Sequence, residues 1–139
     1  MKENRKRRGF TLVELMVVIL IVGILSAVAV PILRGKINAA KWSEGAATAG
    51  AIRSAVRAAY AEDQATVGAW AGQALDAATM ATLGFQTGDL TGTYFAPAQF
   101  TITSVDASGN AVITVASPGA SCPGSAVLDA TGGWVYTAP

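Results

Sequence analysis

The chain has 139 residues, of which 52% are hydrophobic and only 14% charged, too apolar a balance for a small domain that faces water on every side. Lys2, Arg5, Lys6, Arg7 and Arg8 supply half of the 10 basic residues behind the formal charge of +1, and beyond Gly9 five basic residues stand against eight acidic ones, so a nucleic-acid surface has little support. With no histidine the commonest general base and metal ligand are missing, and the single cysteine, Cys122, has no partner for an intramolecular disulfide.

Residues 1–9 are short, basic and polar, and read as a leader rather than a fold element. Residues 10–33 form an apolar run of about the length that spans a bilayer as a helix. The basic cluster before it is expected to stay in the cytoplasm, which sends everything after Leu33 to the other side of the inner membrane. Arg34, Gly35 and Lys36 mark the exit from lipid. In the alanine-rich stretch 37–63, Ile52, Ala55, Val56, Ala59 and Tyr60 repeat at helical spacing and predict one apolar stripe. The simplest reading is one long helix over about 10–63, its first half transmembrane, bent near Pro31 and Gly35 because proline removes a backbone hydrogen bond.

Past Asp63 a helical turn or two is expected at 73–83, and from Gly92 onward the pattern is strand. FTITSV (100–105) and AVITVA (111–116) alternate around the polar turn DASGN, which predicts a hairpin. A weaker pair, 126–128 and 134–137, flanks DATGG. The expected fold is therefore α+β: the long helix packed on a small antiparallel sheet of three to four strands. Three segments follow: a leader at 1–9, a transmembrane helix at 10–33 and a head at 34–139.

Glu14 is out of place near the start of the apolar run, since an ionised side chain at that depth is costly unless paired. If a peptidase cut between Gly9 and Phe10, the new α-amino group of Phe10 would lie at a membrane depth similar to that of Glu14. A neighbouring copy, displaced along a filament axis, would then set its Phe10 ammonium against this carboxylate.

The segment Gly9-Phe10-Thr11-Leu12-Val13-Glu14-Leu15, with 19 uncharged residues in a row after Glu14, resembles the N-terminal signal of type IV pilins and type II secretion pseudopilins. The resemblance covers about the first third of the chain. It implies a leader removed after Gly9 by a prepilin peptidase, N-methylation of Phe10, assembly through Glu14, and the pilin fold. Gly23 and Pro31 fall where that family carries the glycine and the bending proline of its lipid-embedded helix; Gly23 serves either close helix approach or local melting during packing. The resemblance further implies a homo-oligomeric helical filament driven by an assembly ATPase through an inner-membrane platform protein. The product is a surface pilus or a periplasmic pseudopilus.

Two alternatives to the pilus subunit stay open: a pseudopilin of a type II secretion system, and a signal-anchored periplasmic binding domain. In a related alternative, ordinary signal peptidase cuts after Ala27-Val28-Ala29 and releases a chain beginning at Val30. No enzymatic constellation is present, because Asp76, Asp89, Asp106 and Asp129 are scattered over separate loops. Asp106 or Asp129 could contribute oxygens to a calcium ion, as acidic loops do in some pseudopilins, but plain turn chemistry accounts for both. Trp42, Trp70 and Trp134 share no spacing and read as core or interface residues, and Cys122 as a small hydrophobe.

Overall fold

The computed structural model describes residues 9–86, 88–120 and 122–138, so the expected leader lies outside the described residues apart from Gly9. Helix α1 spans Leu12–Glu62 and its helical assignment continues unbroken through Pro31. Residues up to Ile37 form one compact unit and residues from Asn38 onward form a second.

Within the second unit α1 buries Trp42, Gly45, Ala49, Ile52 and Val56, at spacings of three and four that keep one face of a helix inward. The stripe expected from Ile52 to Tyr60 thus extends three turns further toward the N-terminus, while Ala59 and Tyr60 pack partly buried at its far end. Gly45 allows the closest approach: a Cβ there would lie 3.2 Å from the Phe95 ring. The helix stops at Glu62 because Asp63 turns extended and its carboxylate accepts the main-chain N–H groups of Ala65 and Thr66, starting the short helix α2 (Gln64–Gly68).

The sheet has five antiparallel strands in the order β1-β2-β3-β4-β5. They are β1 (Gln73–Ala74), β2 (Phe100–Val105), β3 (Ala111–Ala116), β4 (Ser125–Leu128) and β5 (Trp134–Thr137). The α+β architecture, a long helix packed on an antiparallel sheet, is borne out, with one strand more than expected. That extra strand is β1, two residues long, which pairs with Thr101 and Ile102 where a helical turn was expected. Only the later part of that stretch is helical, α3 (Ala77–Thr82), because Asp76 caps it through the Thr79 N–H at 2.7 Å.

Phe100, Ile102, Ala111, Ile113, Val115, Ala126 and Leu128 point from the sheet into the core that α1 covers. The register slips between Ile102 and Ser104, which explains why two successive residues, Thr103 and Ser104, are exposed before Val105 returns to the core side. Both hairpin turns form where DASGN and DATGG predicted them. Asp106 accepts from the N–H groups of Ser108 and Asn110, and Asp129 from those of Thr131 and Gly133. The glycines Gly109 and Gly132 supply the left-handed backbone each turn needs.

All three tryptophans join the core as expected, Trp42 and Trp70 buried and Trp134 partly buried. Cys122 is also fully buried, and that burial pushes its thiol pKa up.

Candidate functional site: the N-terminal helix and its acidic residue

An α-helix cannot begin without leaving its first N–H groups unpaired, and the chain meets that demand at Thr11. The Thr11 hydroxyl accepts the Glu14 N–H at 3.2 Å, while one Glu14 carboxylate oxygen accepts the Thr11 N–H and the Thr11 hydroxyl, each at 2.9 Å. This reciprocal arrangement is a capping box, and its carboxylate sits at the positive end of the helix dipole. The Thr-x-x-Glu spacing that announces it is legible in residues 11–14, yet the reading of Glu14 as an intruder in an apolar run passed over Thr11. Glu14 therefore has a partner within its own chain, which lowers the cost of placing it in lipid without supplying a counter-charge.

Gly9, Phe10 and Thr11 precede the first helical residue, and Gly9 and Phe10 are both exposed, Phe10 at 79%. The Gly9–Phe10 peptide bond is thus open to an enzyme, and the Phe10 side chain has no core to enter. Phe10 and Glu14 lie in the same short segment. Gly23 and Pro31 stand well along the helix, and a Cβ added at Gly23 would meet nothing within 4 Å. Nothing within the described residues requires that position to be small.

From Leu15 to Leu33 the helix carries no charged residue on any side, and none of its most apolar window is buried. Leu15, Ile19, Leu20, Leu25 and Ile32 are each more than half exposed. Burying a Leu, Ile or Val side chain gains about 1.5–3 kcal/mol, so the whole run leaves on the order of tens of kcal/mol unrealised in water. A helix of this length and composition can cross a membrane, and such a surface calls for lipid or like helices around it.

The acidic loop residues have local employment. Hydroxyl and N–H donors from Thr131 and Gly133 hold the Asp129 carboxyl below the usual carboxylate range, and Asn110, through side chain and main chain, does the same for Asp106. No group of three or more His, Cys, Asp or Glu side chains able to hold a metal ion occurs among the described residues.

Residues 4–30 match the prokaryotic N-terminal methylation motif. This match bears out the resemblance read from Gly9 to Leu15 and, with the fold, supports a pilin-like subunit as the class of protein. The chain is also similar to fimbrial protein EcpC of Eikenella corrodens, with 41% identity over 56 residues. That stretch is 40% of this chain and spans 37% of the relative, little more than a third of its length. No solved structure matches the chain.

Proposed function

We propose that the chain is the precursor of a type IV pilus subunit. Residues 1–9 are the leader, 10–33 the segment that first spans the inner membrane and then forms the filament core, and 34–139 the head on the outer side. A prepilin peptidase cuts after Gly9, and Phe10 becomes the N-methylated first residue. Subunits then leave the membrane for a helical filament, raised by an assembly ATPase acting through an inner-membrane platform protein.

The observation that carries this reading is the uncovered apolar helix opened by Thr11 and Glu14 within a methylation motif. In the filament the Phe10 ammonium of one copy meets the Glu14 carboxylate of another, so that neither charge is left alone in an apolar core. Gly23 then lets a neighbouring helix approach where its own chain leaves open space, and Pro31 sets a bend. The fimbrial relative supports a surface fibre over a pseudopilin of a type II secretion system.

Two measurements test the proposal together. Mass spectrometry of the mature chain is expected to find methylated Phe10 at its start; a start at Val30 would overturn the reading. Glu14→Leu is expected to leave membrane insertion intact and to abolish filaments seen by electron microscopy of sheared cells. Normal filaments from that variant would remove the charge pairing from the account.

A further inference from the structure

Among the described residues of 83–96, the connection from α3 to β2 forms only turns and irregular chain, yet it must seat Phe95 in the core of the head. Phe95 is fully buried, with its ring 5.1 Å from that of Trp42 and 6.1 Å from that of Phe100. Beside the ring contacts that Trp42 and Lys41 make with it, a side chain of α1 holds the loop by its main chain. An oxygen of the Glu44 carboxylate accepts the Tyr94 N–H at 2.8 Å and the Phe95 N–H at 3.0 Å. The loop closes on itself just beside that seat, where the Gly92 N–H donates to the Phe95 carbonyl at 2.8 Å. Gly92 leaves the carboxylate its room, since a Cβ there would fall 2.1 Å from the same Glu44 oxygen.

We propose that Glu44 is an acid-sensitive latch: ionised, it pins the 92–95 segment to α1, and on protonation it lets that segment come away from the helix while the sheet stays folded. Both N–H bonds fall on one oxygen of the charged group; protonation of the other oxygen leaves a neutral carbonyl acceptor there, so the two bonds lose their charge assistance and weaken. Three groups face it. Lys41, one turn earlier on α1, holds its ammonium 5.1 Å from the centre of the Tyr94 ring; Tyr94 comes from the loop itself; and Cys122, from the β3–β4 connection, feels the charges of both Lys41 and Glu44. Burial pushes the Glu44 carboxyl up, but the N–H groups of Tyr94, Phe95 and Thr93 outweigh it and hold it below the usual carboxylate range. A carboxyl whose folded value is depressed contributes stability above its unfolded value, about 4.3 for glutamate, and loses that contribution as pH falls through the folded value. The latch is therefore closed at neutral pH and opens in acid.

Hydrogen exchange on the full chain in detergent, followed at single amides, reads the latch directly. Between about pH 7 and about pH 3, protection factors at Tyr94 and Phe95 are expected to fall by about tenfold or more, and those at Ile113 and Val115 in β3 by clearly less. Glu44→Gln, which keeps an acceptor oxygen but neither charge nor titration, is expected to give protection at Tyr94 and Phe95 that lies below wild type at about pH 7 and does not change with pH. Gly92→Ala provides a second route, because its methyl group displaces the flexible end of Glu44 without removing the charge, and the same two amides should lose both protection and pH dependence. The latch is overturned if wild-type protection at Tyr94 and Phe95 does not change with pH, if it falls in step with β3, or if either variant keeps the wild-type profile.

Discussion

At Ile52 the long helix meets the sheet with no exposed surface left, among Val56, Phe100, Ile113 and the rest of a single cluster of apolar side chains. Cutting this side chain back leaves a hole that close-packed neighbours fill only in part. Ile52→Ala is expected to cost roughly 2–5 kcal/mol of head stability. Denaturant unfolding of the full chain in detergent, followed by the fluorescence of Trp42 and Trp70, measures it. A loss well under about 1 kcal/mol would mean that the head is looser around α1 than its burial implies. Thr11 belongs to the same scale. Thr11, not singled out from the sequence, proves to share the helix start with Glu14, so the acid stabilises the helix of its own chain.

Among the elements, β5 depends most on one residue outside it. Gly124 has a backbone angle φ of +106°, and a Cβ there would press within 2.6 Å of the Thr137 carbonyl oxygen at the end of β5. Gly124→Ala is expected to destabilise the head by at least about 1 kcal/mol, through strain at that angle and displacement of backbone rather than of a flexible side chain. The loss should appear as faster hydrogen exchange in Val135 and Tyr136 than in β2 or β3; uniform loosening of the sheet would place the effect elsewhere.

The two hairpins and the long helix were legible because their signals are local: alternation, a polar turn with glycine, a repeat at three and four. β1 was not. Two residues carry no alternation to detect, and Gln73 and Ala74 become a strand only because β2 offers them a partner. The buried run of α1 before Ile52 was hidden for a related reason. Gly45 and Ala49 are too small to read as a stripe until the Phe95 ring is known to lie against them. At the N-terminus the methylation motif around Gly9, Phe10 and Glu14 was readable from residue type and spacing, whereas the Glu44 seat joins residues about fifty positions apart that no pattern connects.

Over the whole molecule, the acidic residues form a consistent set. Among the described residues Glu14, Glu44, Asp63, Asp76, Asp89, Asp106 and Asp129 all accept main-chain N–H groups, leaving Glu62 as the exception. The carboxyls of Asp63, Asp106 and Asp129 are held below the usual range first by the side chains of Thr66, Asn110 and Thr131 and then by main-chain N–H groups, and that of Asp76 first by the Thr79 N–H, so the stability they supply exists above about pH 4 and drains away as pH falls further. Bonds of this kind are short and local, and screening by ions scarcely reaches them. Thermal unfolding of the head should accordingly shift by only a few degrees between about 0.05 M and about 1 M salt, and fall clearly below about pH 4. A steep dependence on salt at neutral pH would show that long-range charge pairs hold the head instead.

The two hairpin tips, at residues 106–110 and 129–133, each close on their own aspartate and glycine and ask nothing of each other for their shape. The intervening positions Ala107, Ser108 and Ala130, whose side chains make none of these turn bonds, can therefore be rewritten one tip at a time without redesigning the scaffold beneath. A subunit repeated along the proposed filament would in this way change its outward appearance while its architecture stays the same.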